Sequence, residues 1–131
     1  MPQKILIVDD NDTNRILFRD ILHYHGFETI EAENGQLGVQ QAQQHRPDLI
    51  LLDIQMPVMD GFEALKVLRE MPETRSIKVV ALTSFALIGD EKRIMAAGFD
   101  GYISKPISTR DLPVKVNGFL EPGKGAIKDA R

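Results

Sequence analysis

Short apolar runs alternate with amphipathic segments along the chain. The runs fall at 5–8, 27–30, 49–52, 77–82 and 102–103, each bounded by turn-forming or charged residues. Their length predicts five strands. Near-continuous apolarity in the first, third and fourth predicts strands covered on both faces, as in a parallel sheet with helices on either side. Between the runs, Leu17, Phe18, Ile21 and Leu22 form a helical stripe that ends at Gly26. Phe62, Leu65 and Leu68 form another after Asp60, whose side chain can cap a helix while Glu63 completes a capping box. Ile94 and Ala97 precede Gly98, a C-terminal cap, and Leu112, Val116, Phe119 and Leu120 mark a last helix. The segment 34–45 is glutamine-rich, with Leu37, Val39 and Ala42 to bury. Five strand–helix units predict a doubly wound α/β fold with a five-stranded parallel sheet, one domain over 1–121 and a flexible tail over 122–131.

Composition narrows the chemistry. The chain has 131 residues, 16 basic and 19 acidic side chains, and a formal net charge of -3. No long run of either sign is present, so electrostatic capture of nucleic acid or of a membrane surface is not expected. There is no cysteine, which excludes disulfides and thiolate metal sites. The N-terminus lacks a charged-then-apolar leader, and no apolar run approaches the roughly 20 residues of a membrane span. The expected location is the cytoplasm.

One stretch departs from the rhythm. In "PDLILLDIQMPVMDG", residues 47–61, a run of buried-type residues ends in a carboxylate, Asp53. Ligands of open α/β sheets bind beyond the carboxyl ends of the strands, where the strand order reverses. The first run ends in Asp9 and Asp10, the third in Asp53, the fourth in Thr83 with Ser84, and the fifth in Ser104, Lys105 and Pro106; the second ends in Glu31 with nothing comparable around it. With strand order 2-1-3-4-5 the first and third strands are neighbours, and three carboxylates meet. Such a cluster is unfavourable unless a cation offsets it, and a hard divalent ion such as magnesium, which takes one or two carboxylates, waters and a phosphate oxygen, suits it. Lys105 adds a mobile positive charge and Thr83 a hydroxyl. These are the parts of a phosphoryl-transfer site with a carboxylate nucleophile.

Taken singly, most of these residues have simpler readings. Asp10 or Asp12 can serve only as a helix cap, Thr83 as a turn residue, and Lys105 as a surface lysine before a turn. Asp53 has the weakest such reading, because the next helix is delayed to about Asp60. Four polar sets at four strand ends outweigh the separate readings. The apolar segment Phe85, Ala86, Leu87 and Ile88 is either core or a partner surface, Met56 and Met59 are packing residues, and His23, His25 and His45 carry no joint site.

The motifs "ILIVDDN", "PDLILLDIQMPVMDG", "ALTS" and "YISKPIS", in this order and spacing, resemble the receiver domain of two-component response regulators over about residues 4–120. The resemblance implies a flavodoxin-like, CheY-like domain that accepts a phosphoryl group from a phosphohistidine and switches protein contacts, a signalling protein and not an enzyme. It implies Asp53 as phosphoacceptor and magnesium as cofactor, with manganese able to substitute. The metal ligands it implies are Asp10 directly, Asp9 largely through water, Asp53, and the Gln55 backbone carbonyl. Thr83 and Lys105 would bind the phosphoryl group, Thr83 and Tyr102 would form the switch pair, and a cis peptide is expected between Lys105 and Pro106. Phe85, Ala86, Leu87, Ile88 and Tyr102 would then form the partner surface. The stretches "TSFALIGDEKRI" and "GYISKPIS" are closest in pattern to stand-alone cell-cycle response regulators of the DivK type. Implied partners are a histidine kinase or histidine phosphotransfer protein and a downstream protein target. Pro113 and Gly118 in the last helix predict a partner face that is shortened or tilted.

Two other functions fit parts of the pattern. A haloacid-dehalogenase-type phosphatase would use Asp10 and Asp12 as nucleophile and acid/base, but it leaves Asp53 without a place. A receiver fold acting as a constitutive binding module would have no need of the complete set of site residues.

Overall fold

Strands and helices alternate without exception among the residues that the computed structural model describes, 3–56, 58–84, 90–105 and 108–120. The order is β1 (Lys4–Val8), α1 (Asp12–Tyr24), β2 (Glu28–Ala32), α2 (Gly35–His45), β3 (Leu49–Asp53), α3 (Gly61–Glu70), β4 (Lys78–Thr83), α4 (Asp90–Ala97), β5 (Gly101–Ser104) and α5 (Asp111–Leu120). All strands are parallel, in the order β2-β1-β3-β4-β5. Side chains alternate across a strand, and here both sets are apolar. Leu6, Val8, Ile50, Leu52, Val79 and Ala81 pack under α2, α3 and α4. Ile5, Ile7, Leu49, Leu51, Val80 and Leu82 pack under α1 and α5. The unbroken apolar runs therefore mark strands buried on two sides.

The differences from the sequence expectation are local. β2 begins one residue later and ends two residues later than its apolar run, because Phe27 packs from the turn after α1 and the edge strand itself is half-buried. Glu31 consequently lies inside β2. In α1 only Phe18 and Leu22 are buried, while Leu17 is 41% exposed. Leu17 precedes Phe18 by one position, roughly 100° around the helix, and so misses the sheet. The N-cap of α1 is Asn11, whose side chain accepts from the Asn14 N–H. The capping box of Asp60 and Glu63 on α3 forms as expected, and Gly98 ends α4 with φ at +107°. Ile94 of α4 is buried, but Ala97 is exposed. α5 continues through Asp111–Leu120. Pro113 lies in its first turn, where a missing N–H removes no intrahelical bond, and Gly118 stands in open space.

α2 buries Gly35, Gly38 and Ala42, and Leu37 turns outward. The glycine explains this packing. A Cβ on Gly38 would stand 2.9 Å from both Val8 Cγ atoms, which belong to a stiff, fully buried side chain. Gly38→Ala gains about 1 kcal/mol of helix propensity but overpacks the end of β1 by about 1–3 kcal/mol. The expected result is a lower urea midpoint with an unchanged slope; an increase in stability would contradict this packing.

Candidate functional site

The carboxyl ends of β1, β3, β4 and β5 lie at one end of the sheet, where β1 and β3 pair side by side. The chain leaves β1 through Asp9, which is fully buried, and leaves β3 at Asp53, which is 5% exposed. Both residues turn the chain in the same way, with the carboxylate accepting from the backbone N–H two positions on. Asp9 Oδ1 accepts from Asn11 N–H at 2.9 Å, and Asp53 Oδ1 accepts from Gln55 N–H at 2.9 Å. Their other oxygens share one cation: Lys105 Nζ donates to Asp9 Oδ2 at 2.9 Å and to Asp53 Oδ2 at 2.8 Å. Asp10 is exposed beside them, and one oxygen from each of Asp9, Asp10 and Asp53 lies within 4.8 Å of the others. Because Asn11 caps α1, Asp10 is left for this cluster.

Three carboxylates face one ammonium, which leaves two negative charges uncompensated. The strain appears on Asp53. Burial pushes its carboxyl above the usual range, the nearby Asp9 charge adds to this, and Lys105 and the Gln55 N–H oppose it. For Lys105, burial is the largest single influence and acts downward. Hydrogen bonds to Asp53 and Asp9 outweigh it, so the ammonium is held charged. The donor set, hard oxygens with a surplus of two negative charges and one ligand open to solvent, fits magnesium.

Thr83 is the last residue of β4 and is 1% exposed. The β4–β5 register places it on the same sheet face as Ala81 and Tyr102. Tyr102 is half-buried against the α2–α3–α4 core, and a hydrogen bond to Glu91 of α4, with burial, raises its phenol above the ordinary value. Thus Asp9, Asp10, Asp53, Lys105 and Thr83 converge at one end of the sheet. Gln55 reaches the site through its N–H. The segment Phe85, Ala86, Leu87 and Ile88, the Lys105–Pro106 peptide and the tail 122–131 lie outside the described residues. Asp12, the acid/base of the phosphatase reading, lies in the first turn of α1, ion-paired with Arg15 and absent from the carboxylate cluster.

Two residues that shape the site had no role in the sequence reading. A Cβ on Gly61 would lie 2.6 Å from the Asp53 carbonyl oxygen and from Ile54 Cα, so glycine lets the start of α3 press against the backbone that carries Asp53. The "DG" pair that opens α3 was its signal. Arg15 donates through Nη1 to the Asp9 carbonyl at 2.7 Å; no motif announced it.

A parallel 2-1-3-4-5 sheet with acidic residues at its β1/β3 end defines a class, and comparison with known proteins agrees with it. Residues 5–117 match the response regulator receiver domain model. The chain belongs to that family and is a two-component signalling protein. Over 130 residues, 99% of this chain and 100% of the relative, it is 46% identical to the polar-differentiation response regulator DivK of Brucella anthropi. Among solved structures, the chemotaxis response regulator CheY4 of Vibrio cholerae superposes with a TM-score of 0.84 at 29% identity, covering 89% of this chain and 98% of that one. The receiver domain of sensor histidine kinase PA1611 from Pseudomonas aeruginosa, solved with magnesium coordinated in its active-site cleft, gives a TM-score of 0.84 at 31% identity, with 92% and 98% covered. Among the described residues no helix is long and apolar enough to cross a membrane.

Proposed function

We propose that this chain is a DivK-like response regulator, with its receiver domain over 1–121, that takes a phosphoryl group on Asp53 from a phosphohistidine and thereby changes its protein contacts. The observation that carries the reading is the buried Asp53 carboxylate, shared with Asp9 across one lysine and adjoining an exposed Asp10. In the transfer, an Asp53 oxygen attacks phosphorus, the P–N bond to the donor imidazole breaks, and the imidazole keeps the electron pair and takes a proton from water. Gln55 N–H fixes Oδ1, so Oδ2, held only by the flexible Lys105 among its described contacts, is the attacking atom. Lys105 then follows the charge onto a phosphoryl oxygen. Asp9, Asp10, Asp53 and the Gln55 carbonyl would hold magnesium, or manganese in its place, and the ion would neutralise the phosphoryl oxygens during transfer.

The Thr83 hydroxyl, at the neighbouring strand end, would turn toward the new phosphoryl oxygens. Tyr102 shares its face and is tied to Glu91 of α4, so α4 and β5 would respond together and present an altered surface. A ligand biases such an equilibrium only through contacts made better in one state. Partners of this chemistry are a histidine kinase or histidine phosphotransfer protein upstream and a protein target downstream, in the cytoplasm. The DivK-type relatives suggest a cell-cycle pathway.

Incubation with acetyl phosphate should add one phosphoryl group to the intact mass with magnesium present and none with excess chelator. Equal labelling in both conditions would contradict the metal assignment. A chain that never labels would instead be a constitutive binding module.

A further inference from the structure

β1 delivers Asp9 and Asp10 to the carboxylate cluster, but the peptide between them needs its own anchor. Arg15 supplies it. Its Nη1 donates to the Asp9 carbonyl at 2.7 Å, its Nε to Glu31 Oε1 at 3.1 Å, and its Nη2 to Asp12. The side chain is only 14% exposed. Glu31 pairs with Ile7 across the β1–β2 ladder, so the guanidinium is braced by the sheet as well as by α1. The Asp9 carbonyl and the Asp10 N–H share one rigid peptide plane. A bond that fixes the first therefore fixes where the Asp10 Cα stands, the base from which its carboxylate reaches. Asp10 is the exposed member of the cluster, so its carboxylate reaches the other two from that base at the solvent side.

We propose that Arg15 is a positioning residue for the divalent cation: it locks the Asp9–Asp10 peptide so that the Asp10 carboxylate meets the ion together with Asp9 and Asp53. The inference rests on reading the cluster as a magnesium site. Arg15 touches no cluster carboxylate, only the backbone behind it, and the planar fork is what lets one side chain serve three acceptors at once. The sign of the effect separates positioning from charge. Removing a cation near three carboxylates would by Coulomb attraction alone tighten magnesium binding. Removing a positioning group weakens it.

Calorimetric titration with magnesium chloride, well below the melting temperature, tests this on the wild-type chain, Arg15→Met, Arg15→Lys and Arg69→Met. Arg69 is the control for general stability. It donates to the Arg75 and Ile77 carbonyls at 2.9 and 2.7 Å and to Asp100 at 3.0 Å, around the opposite end of β4. Arg15→Met should bind magnesium roughly tenfold more weakly, as expected for loss of a group that orients a ligand. Arg15→Lys keeps one N–H donor that can reach the Asp9 carbonyl, without the fork, and should fall between Met and wild type. Arg69→Met should melt lower with unchanged magnesium affinity. Arg15→Met binding as tightly as wild type or tighter overturns the proposal, as does an equal loss of affinity in Arg69→Met. If Arg15→Met does not fold, wild-type affinity in Arg15→Lys is the overturning result. A wild-type chain that binds no magnesium fails one step earlier, and overturns the metal site and this inference together.

Discussion

Asp53→Asn should take up no phosphoryl group under conditions that label the wild-type chain fully. The amide keeps the shape of the carboxyl and its Oδ1 can still accept from Gln55 N–H, but it is a poor nucleophile and would form no stable acyl phosphate. Stability should move the other way. Burial raises the Asp53 carboxyl above its ordinary 3.8. A group raised in the folded state contributes stability that is fully present below that ordinary value and is lost as pH rises through the folded value. At neutral pH without metal the Asp53 charge therefore burdens the fold, and the Asn variant should be no less stable than wild type by urea denaturation. Full labelling of Asp53→Asn at the wild-type stoichiometry would remove Asp53 from the mechanism. A marked loss of stability would mean that its ion pair with Lys105 outweighs its burial.

Lys105→Met should strongly destabilise the metal-free fold. Lys105 is the cation shared by Asp9 and Asp53, at 2.9 and 2.8 Å, and all three side chains are largely buried. Removing one partner of a buried ion pair leaves an uncompensated charge, with a loss of roughly 3–5 kcal/mol. Here two carboxylates are left facing each other, so one should take up a proton. Its folded pKa then rises further, and the lost stability should return as pH falls through that value toward the ordinary 3.8. Magnesium should restore it at neutral pH by replacing the missing charge. Denaturation midpoints across pH, with and without magnesium, read all of this. A loss that is the same at every pH and indifferent to magnesium would show that Lys105 acts through packing of its stem.

The strands were legible because their burial is written in the order of residues. Two-sided cover leaves no polar positions inside β1, β3 and β4, and the first polar residue after each run is then a residue at the sheet's carboxyl end. Asp9, Asp53 and Thr83 stand at such positions, and Lys105 belongs to the polar set that follows the fifth run, one place after Ser104. Helix faces were less legible. Leu17 and Leu37 read as core and are exposed, since a helix on a sheet buries a narrow line and its neighbours miss it. Gly38 had no place in the sequence reading of α2, and it is the point where the helix meets Val8. Arg15 carries no local signal, because its acceptors are a backbone carbonyl, a residue of β2 and a residue of its own helix. Only the fold brings the first two together. Gly61 lay within a quoted motif, but its reason is a close approach to the Asp53 carbonyl that spacing alone does not reveal.

The most direct test of the central claim is to locate the phosphoryl group. An aspartyl phosphate is an acyl phosphate, and borohydride reduces it to homoserine, which survives proteolysis. The chain should be labelled with acetyl phosphate and magnesium, reduced, digested and sequenced by tandem mass spectrometry. Homoserine in place of Asp53, and unmodified aspartate at Asp9, Asp10 and Asp60, is the predicted result. Homoserine at Asp9 or Asp10 with Asp53 intact, or no homoserine in a chain whose intact mass shows the added group, would contradict it.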